Sequence, residues 1–491
     1  MKKYTFSLCL LVSSLFVAGL AAAAEQVLSF QWQWTHKHSD IANPAGQSSE
    51  IPAFDRKTNT LWVAGVVGVD VLDAGTGALV EHIDTTPYGA VNSVAIHDGL
   101  AAFAIESATR TLPGVVLFYD TQTRALSPGI STVPVGALPD MLTFTRDGRK
   151  LLVANEGSPA TYGARIGTSV PRVFGAPALD PAGSVTIIDM ATRTVVATPG
   201  FSGVPVSGDN VRTTTGMDFE PEYIAISRDG RKAFVTLQEA NAIAVLDLRS
   251  HTFTKIIGLG AKDFSLPGNQ IDPYNNGTVA FISRSAKGLY MPDTMAAYDR
   301  RGKTYLVMAN EGDFREDDGD RSAAGGLGAV VPLANLRISN SDSSPGNLFA
   351  AGARSFSIRD EHGNRVYDSC DILDKKVAEL GIYDDGRSRD KGVEPEGVAL
   401  LKIGGRTYAF IGLERALKGA VAVFDITDPV KSTYVQMIVT DGDVAPEGLV
   451  AYRYSGDYYL AIANEVSRTT TLYRIERAHH EVHDDDDNDR D

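Results

Sequence analysis

Apolar and polar residues alternate along most of this chain in short runs, and the runs are punctuated by Asp-Gly, Gly-Gly and Ser-Gly pairs. A period of two predicts half-buried β-strands, and the punctuation predicts tight hairpins between them. The clearest unit starts at Glu222 and reads EYIAISRDGRKAFVTLQEANAIAVLDL: strand, Asp229-Gly230 turn, strand, short loop, strand. Copies begin at Asp140, Asp293, Glu396 and Glu447, with weaker ones at Glu50 and Asn92, seven in all. Most continue into a third strand ending in Asp, as in GVDVLD, SVTIID and AVAVFD, and then a fourth, less regular strand. Seven four-stranded antiparallel units without alternating helices predict an all-β fold, a seven-bladed β-propeller. A β-sandwich is the rival, but it does not explain seven hairpins of one design. The last copy offers only three strands, while residues 27–34 (VLSFQWQW) alternate and have no blade of their own. This N-terminal strand is expected to close the ring as the outer strand of the last blade, hiding an unpaired edge.

The two ends read differently from the repeats. Lys2 and Lys3 precede an apolar run over 6–20, and Ala21 to Ala24 follow. That is the layout of a cleavable signal peptide, 1–24, and predicts a secreted or periplasmic protein. The propeller is expected over 25–478. No later run is apolar enough to span a membrane. Cys9 falls within the signal, which leaves Cys370 as a passive thiol. Residues 479–491, HHEVHDDDDNDRD, are expected to be a disordered tail. It is either a solubilising segment or a weak cation trap.

Each repeat carries acids at matching positions. Across the hairpin turns, Asp140 faces Glu156, Glu222 faces Glu239, Asp293 faces Glu311, Glu396 faces Glu414 and Glu447 faces Glu465. Five blades are thus expected to bring two carboxylates each to cross-strand positions at one rim. Like charges in that position repel and call for a cation, a shared proton or a basic neighbour. The plainer reading is a set of inherited acids capping backbone N–H groups. None of the nine His and no Cys sits in this motif. An all-oxygen set suits Ca²⁺, or Mg²⁺ or Mn²⁺, rather than zinc or copper. Asn155, Asn310 and Asn464 precede rim acids, although successive strand residues normally face opposite ways. The long insertions, 157–183, 258–291, 312–354 and 369–393, should all emerge on this rim. A short helix is expected at 374–380. Arg415 and Arg315 also reach the rim and would steady an anion such as a phosphate ester. His36 and His38 are expected in a solvated loop near it.

Composition adds exclusions. The chain has 491 residues, 43% hydrophobic and 22% charged, an ordinary globular balance. Lys and Arg number 46 against 61 Asp and Glu, a net charge of −15, which argues against a general nucleic-acid binder. No G-x-S-x-G, H-E-x-x-H, Walker or C-x-x-C motif is present.

The phrases PDMLTFTRDGRKLLVANEG, EPEYIAISRDGRKAFVTLQEANAIAVLDL, MPDTMAAYDRRGKTYLVMANEGD, EPEGVALLKIGGRTYAFIGLERA and APEGLVAYRY resemble the choice-of-anchor I family over about residues 50–476. That family includes proteins similar to a mesenchyme-specific cell-surface glycoprotein. Some of its bacterial members carry alkaline-phosphatase names, and its fold resembles calcium-dependent propeller phytases. The resemblance supplies no catalytic set. Its surface-anchoring end is replaced here by the Asp-rich tail. Two functions follow as expectations. One is a calcium-dependent phosphomonoester hydrolase with Glu311, Glu414, Arg415 and Arg315 as catalytic residues. Its metal ligands would be Asp140, Glu156, Glu222, Glu239, Asp293, Glu311, Glu396, Glu414, Glu447 and Glu465. The other is a noncatalytic calcium-binding scaffold for mineral, polysaccharide or protein.

Overall fold

The computed structural model describes residues 28–38, 46–161, 165–166, 173–174, 179–213, 219–314 and 317–477. The expected signal peptide, the Asp-rich tail and Arg315 lie outside the described residues.

Hairpin follows hairpin, and among the described residues seven sheets hold four or five strands each. Within most of them, chain order is also spatial order. The fourth runs Pro221–Ile226, Lys232–Leu237, Ala242–Asp247, Thr252–Leu259, with Val206–Asp209 added parallel to its outer edge. The innermost strands stand side by side: Pro52–Asp55, Val91–His97, Pro139–Phe144, Pro221–Ile226, Met295–Arg300, Pro395–Ile403 and Pro446–Tyr454. The last of these also touches the first. Sheets radiating from neighbouring inner strands make a β-propeller.

The core lies between sheets rather than inside one. Trp62 and Phe103 pack the first sheet on the second, Leu152 and Val235 the third on the fourth, and Phe410 and Leu460 the sixth on the seventh. A middle strand is therefore covered on both faces. That is why Thr60–Gly65 (TLWVAG) is buried throughout while outer Leu79–Asp84 is mostly exposed.

Leu28–Lys37 pairs antiparallel with Thr469–Arg477, running from Leu28 opposite Arg477 to Lys37 opposite Thr469. It is thereby the fourth strand of the sheet that contains Pro446–Tyr454. Just beyond it, His38 is fully buried instead of solvated. Its Nδ1 lies 2.6 Å from Asp70 Oδ2 in the first sheet, and its Nε2 lies 2.8 Å from Thr470 Oγ1. The other Asp70 oxygen lies 2.6 Å from His82 Nδ1. Trp34 donates to the Ala74 carbonyl at 3.1 Å across the same seam.

Two insertions fold together. Ala261–Asp263, Lys287–Leu289 and Phe349–Ala350 form a small sheet over their own core of Phe264, Ile271, Leu336 and Ile338. The expected helix is present as Ile372–Glu379, with Leu373 and Val377 packed into the core between the fifth and sixth sheets. Buried Arg354 fastens these layers, donating to the carbonyls of Asp272, Ser388 and Asp390. Among the described residues no helix is long and apolar enough to cross a membrane.

The His38–Asp70–His82 bridge generates a test. Burial alone would raise the Asp70 carboxyl, but hydrogen bonds from His38 and His82 more than offset it and hold it below its ordinary value. The bond to Asp70 in turn raises His82. The Asp70 contribution is thus present above about pH 3.8 and lost as pH falls through its lower folded value; the His82 contribution is full below 6.5 and lost as pH rises through its higher one. Asp70→Asn should lower stability in urea melts near pH 6 by about 1–3 kcal/mol, the cost of leaving buried partners unsatisfied. An unchanged midpoint would show that the bridge does not hold this seam.

Candidate functional site

The inner strands enter through a repeated device. Pro139-Asp140, Pro221-Glu222, Pro292-Asp293, Pro395-Glu396 and Pro446-Glu447 each put an acid directly after a proline. In four of the five the residue before the proline is left-handed: Leu138 (φ 47°), Met291 (φ 42°), Glu394 (φ 50°) and Ala445 (φ 60°). For residues bearing a Cβ this conformation costs roughly 1–2 kcal/mol each. Four repeated costs imply that the geometry they produce is needed.

That geometry is a convergence. Asp140, Glu222, Asp293, Glu396 and Glu447 line one central cavity of about 180 Å³, together with Asn92, Tyr223 and Thr294. No Lys, Arg or His is among its lining residues. At about 30 Å³ per water, it has room for a cation and a few waters.

The expected hairpin partners do come close, as with Asp140 and Glu156 or Asp293 and Glu311, but in four of the five hairpins the strand register is shifted. In the third sheet, Pro139 pairs with Asn155 but Leu142 with Val153, so a bulge takes up one residue at Asp140-Met141. The same shift occurs at Pro221/Ile224, Pro395/Val398 and Pro446/Leu449. The Glu156 N–H donates to the Leu138 carbonyl, two residues before Asp140. In these four sheets the bulge re-aims the inner acid toward the axis, whereas the fifth sheet pairs without a shift from Met295 opposite Met308 and still brings Asp293 to the chamber. Carboxylate oxygens of Asp140, Glu156 and Glu222 accordingly lie within 4.8 Å of one another across the third and fourth sheets. Asp293, Glu311 and Glu396 do the same across the fifth and sixth.

Neutralisation separates these groups. A third group, Glu311, Glu394 and Glu414, is equally close but is matched by bases. Lys391 Nζ lies 2.7 Å from Glu311 and 3.1 Å from Glu394; Arg387 lies 2.5 Å from Glu394; Arg415 lies 2.5 Å from Glu414. Gln238 also donates to Glu311 at 2.8 Å. Burial would lower the Lys391 ammonium, yet Glu311 and Glu394 hold it well above its usual value. Charge in this group is compensated by three bases, although Glu394 Oε2 has no hydrogen-bond partner, and the bases fit a metal poorly. In contrast, the Asp140, Glu156 and Glu222 group has Arg110 at 3.8 Å from Glu156, a side chain 51% exposed. Buried oxygens Oε2 of Glu396 and Oε2 of Glu239 have no hydrogen-bond partner. Orphaned carboxylate oxygens beside other buried acids are the donor set a hard divalent cation takes.

Protonation is the alternative to a cation. Burial first, then neighbouring carboxylates, drives Asp140, Glu222, Glu239, Glu396 and Glu447 well above the ordinary range. Asp293 is raised to about 7 by burial and Glu311, Glu50 to about 7 by burial, Glu465 and Glu106, and Glu414 to about 8 by burial, Glu311 and Glu394.

The family model of the choice-of-anchor I domain matches residues 50–429. The chain belongs to the choice-of-anchor I family. The matched region holds Asp140, Glu222, Asp293 and Glu396, whereas Glu447 and Glu465 lie beyond it. No curated protein matches the sequence. Among solved structures, Kuenenia stuttgartiensis hydrazine synthase is similar at 12% identity and a TM-score of 0.52, covering 89% of this chain and 99% of that one. A Myceliophteria thermophila Cps50 (Swd1) β-propeller domain follows at 10% identity and 0.47, covering 91% and 99%. A mitotic checkpoint complex chain follows at 10% and 0.46, covering 96% and 98%. At these identities the likeness is one of fold.

Within this choice-of-anchor I chain, the sequence-predicted residues divide. Ten rim acids were expected as ligands, and five of them line the chamber. Glu156 and Glu311 stand within reach of it, and Glu465 acts on Glu447 and Glu50 through its charge. Asn155, Asn310 and Asn464 face away and tie strands together, as in Asn310 Nδ2 to the Ser355 carbonyl at 2.8 Å. Asp320, at the end of the acid-rich stretch 312–320, is buried against Arg212. Sequence reasoning missed Glu394 and Lys391. The phrase Glu394-Pro395-Glu396 signalled the first, since Glu220-Pro221-Glu222 repeats it. Lys391 sits in a long insertion and had no signal.

Raised carboxyls mean that the folded protein binds more protons than the unfolded chain between about pH 4.5 and 8, so stability falls as pH rises through that window. In chelator, thermal melts should show a midpoint that drops from pH 5 to pH 8. A midpoint that is level or rising across this range would mean that the acids are compensated in some other way.

Proposed function

We propose that this chain is a secreted or periplasmic divalent-cation-binding β-propeller of seven blades, closed by Leu28–Lys37 in the last blade. The observation that carries the reading is the single chamber lined by five carboxylates and no base. Ca²⁺ suits it best, since it accepts six to eight oxygens in irregular geometry and tolerates waters among them; Mg²⁺ or Mn²⁺ would demand a stricter octahedron. Asp140, Glu156 and Glu222 would hold one ion, with Asp293 and Glu396 forming the opposite wall. The folded insertions on the same rim give a surface for mineral, polysaccharide or protein, and this noncatalytic role fits the geometry with fewest additions.

Phosphomonoester hydrolysis is the second reading. It is favoured by Arg415, which is 41% exposed in its side chain and stands on the acid rim. Bound in the chamber, a divalent cation would polarise a phosphate oxygen. Arg415 would orient the ester's remaining oxygens. Glu311 and Glu414 are engaged by Lys391 and Arg415, so either would have to leave its partner to take a proton.

Adding Ca²⁺ to the chelated protein at pH 8 should raise the melting midpoint, by the equivalent of about 2.7 kcal/mol at a hundredfold excess over Kd. The gain should shrink at pH 5, where protons compete, and largely vanish in Asp140→Asn/Glu222→Gln. A calcium-independent midpoint in the native chain would sink the cation reading. A generic phosphomonoester assayed beside Glu311→Gln decides the second: metal-restored turnover that the variant loses supports the hydrolase, and no turnover with any of the three ions leaves the scaffold role.

A further inference from the structure

The far end of the same axis carries the opposite charge. Inner strands finish there in hairpin turns, and several of the turns are basic. Arg146, Arg228 and Lys402, from the third, fourth and sixth sheets, line one opening. Arg300, Arg301 and Lys303, at the turn of the fifth sheet, line a smaller one next to it. Five of the six are exposed, and Arg300 is partly buried. Neighbouring turn residues Arg149 and Arg231 stand 3.6 and 3.7 Å from Asp147 and Asp229, but these six make no ion pair among the described residues. The acids in the two linings, Asp299 and Asp428, are engaged close to home. Asp299 accepts from Thr304 Oγ1 at 2.9 Å and Asp428 from the Val430 N–H at 3.1 Å. On a chain of net charge −15, a face with six such bases calls for an anion.

The chain supplies one at the same end. Thr469–Arg477 runs antiparallel to Asp457–Asn464, from Thr469 opposite Asn464 to Ile475 opposite Tyr458. The strand therefore ends beside the hairpin that pairs Tyr454 with Asp457, on the turn side. Arg477 reaches the turn of the sixth sheet, where a Cβ on Gly404 would stand 2.6 Å from its Nη1. Lys402 is two residues from Gly404. After Arg477 come residues 478–491, AHHEVHDDDDNDRD, with seven acids against Arg490. The Asp run starts at Asp484, seven residues on, a stretch that spans at most about 25 Å. We propose that residues 484–491 dock on the turn-side face of their own propeller, their carboxylates at Arg146, Arg228 and Lys402 and then at Arg300, Arg301 and Lys303. A single exposed ion pair is weak. Here six acids meet six bases, and the tether holds them at an effective concentration on the order of millimolar. The tail is thereby a built-in competitor for any outside polyanion at this face. None of the chamber's acids takes part, so the proposal is independent of the cation reading.

A fluorescent peptide of residues 479–491 is the probe, titrated in chelator at pH 8 and low salt against two full-length chains. One is native; the other carries Asp484→Asn/Asp485→Asn/Asp486→Asn/Asp487→Asn. By anisotropy, the neutralised-tail chain should bind the peptide at least tenfold more tightly than the native chain, whose own tail already fills the face. Raising salt from about 50 mM to about 500 mM should abolish binding, since exposed charges are then screened within a few ångströms. Adding Arg146→Ala/Arg228→Ala/Lys402→Ala to the neutralised-tail chain alters exposed residues and should cost at least tenfold in peptide affinity, its folding checked by the melting transition. Arg149→Ala/Arg231→Ala, which removes bases already facing acids, should cost less than about threefold. The proposal falls if the peptide binds both chains equally, if it binds neither, or if the triple variant leaves its affinity unchanged. It falls if binding appears only with Ca²⁺ restored, which would put the tail at the acid rim. It falls too if the native chain self-associates at low salt in sedimentation while the neutralised-tail chain does not, which would seat the tail on a second copy.

Discussion

Mutual repulsion among carboxylates brought to one axis is the constraint around which this molecule is arranged. Five of the seven sheets deliver an acid into one chamber, where an unpaired charge is far costlier than at the surface. The chain nonetheless uses left-handed residues before four prolines to bring those acids inward. Three remedies are visible or implied. Lys391, Arg387 and Arg415 neutralise the group around Glu394. Protons are held by carboxyls raised to about 7 and about 8. The chamber between Asp140 and Glu447 has no base in its lining, which leaves its acids to protons or, in the function proposed here, to a cation.

The division of labour along the axis follows from strand polarity. Every inner strand begins at the acid end and finishes at a hairpin turn, so whatever the repeat carries at its start is gathered at one mouth and whatever it carries at its turn at the other. Acids after proline populate the first mouth. Arg and Lys beside the turns populate the second. The insertions leave from the acid end, where second strands finish, and two of them have a small core of their own. Elaboration of one end with short turns at the other is how a propeller builds a binding face without disturbing the sheets.

Much of this was legible because repetition makes position visible. Apolar alternation around Asp229-Gly230 and its relatives predicts the hairpins, and the strands observed at 221–226 and 232–237 fall there. The acids were legible for the same reason. Their hairpin partners were legible as neighbours, as with Asp140 and Glu156 or Asp293 and Glu311, but the register and the neighbours from the next sheet were not. Counting across a turn assumes one residue opposite one, and the bulges at Pro139/Leu142 and its counterparts break that count. The neighbours that matter, Glu156 with Glu222 and Glu311 with Glu396, belong to successive sheets and never approach each other in the sequence.

By itself the sequence determined the all-β hairpin architecture and the acids heading the inner strands, since these are local and periodic properties. The tertiary structure alone decided which acids share a chamber, which are neutralised by Lys391 from a distant insertion, and that His38 is locked onto Asp70 rather than solvated. The physical reason is the same in each case. Strand pattern depends on neighbours along the chain, whereas the state of a buried charge depends on what other segments bring within a few ångströms of it.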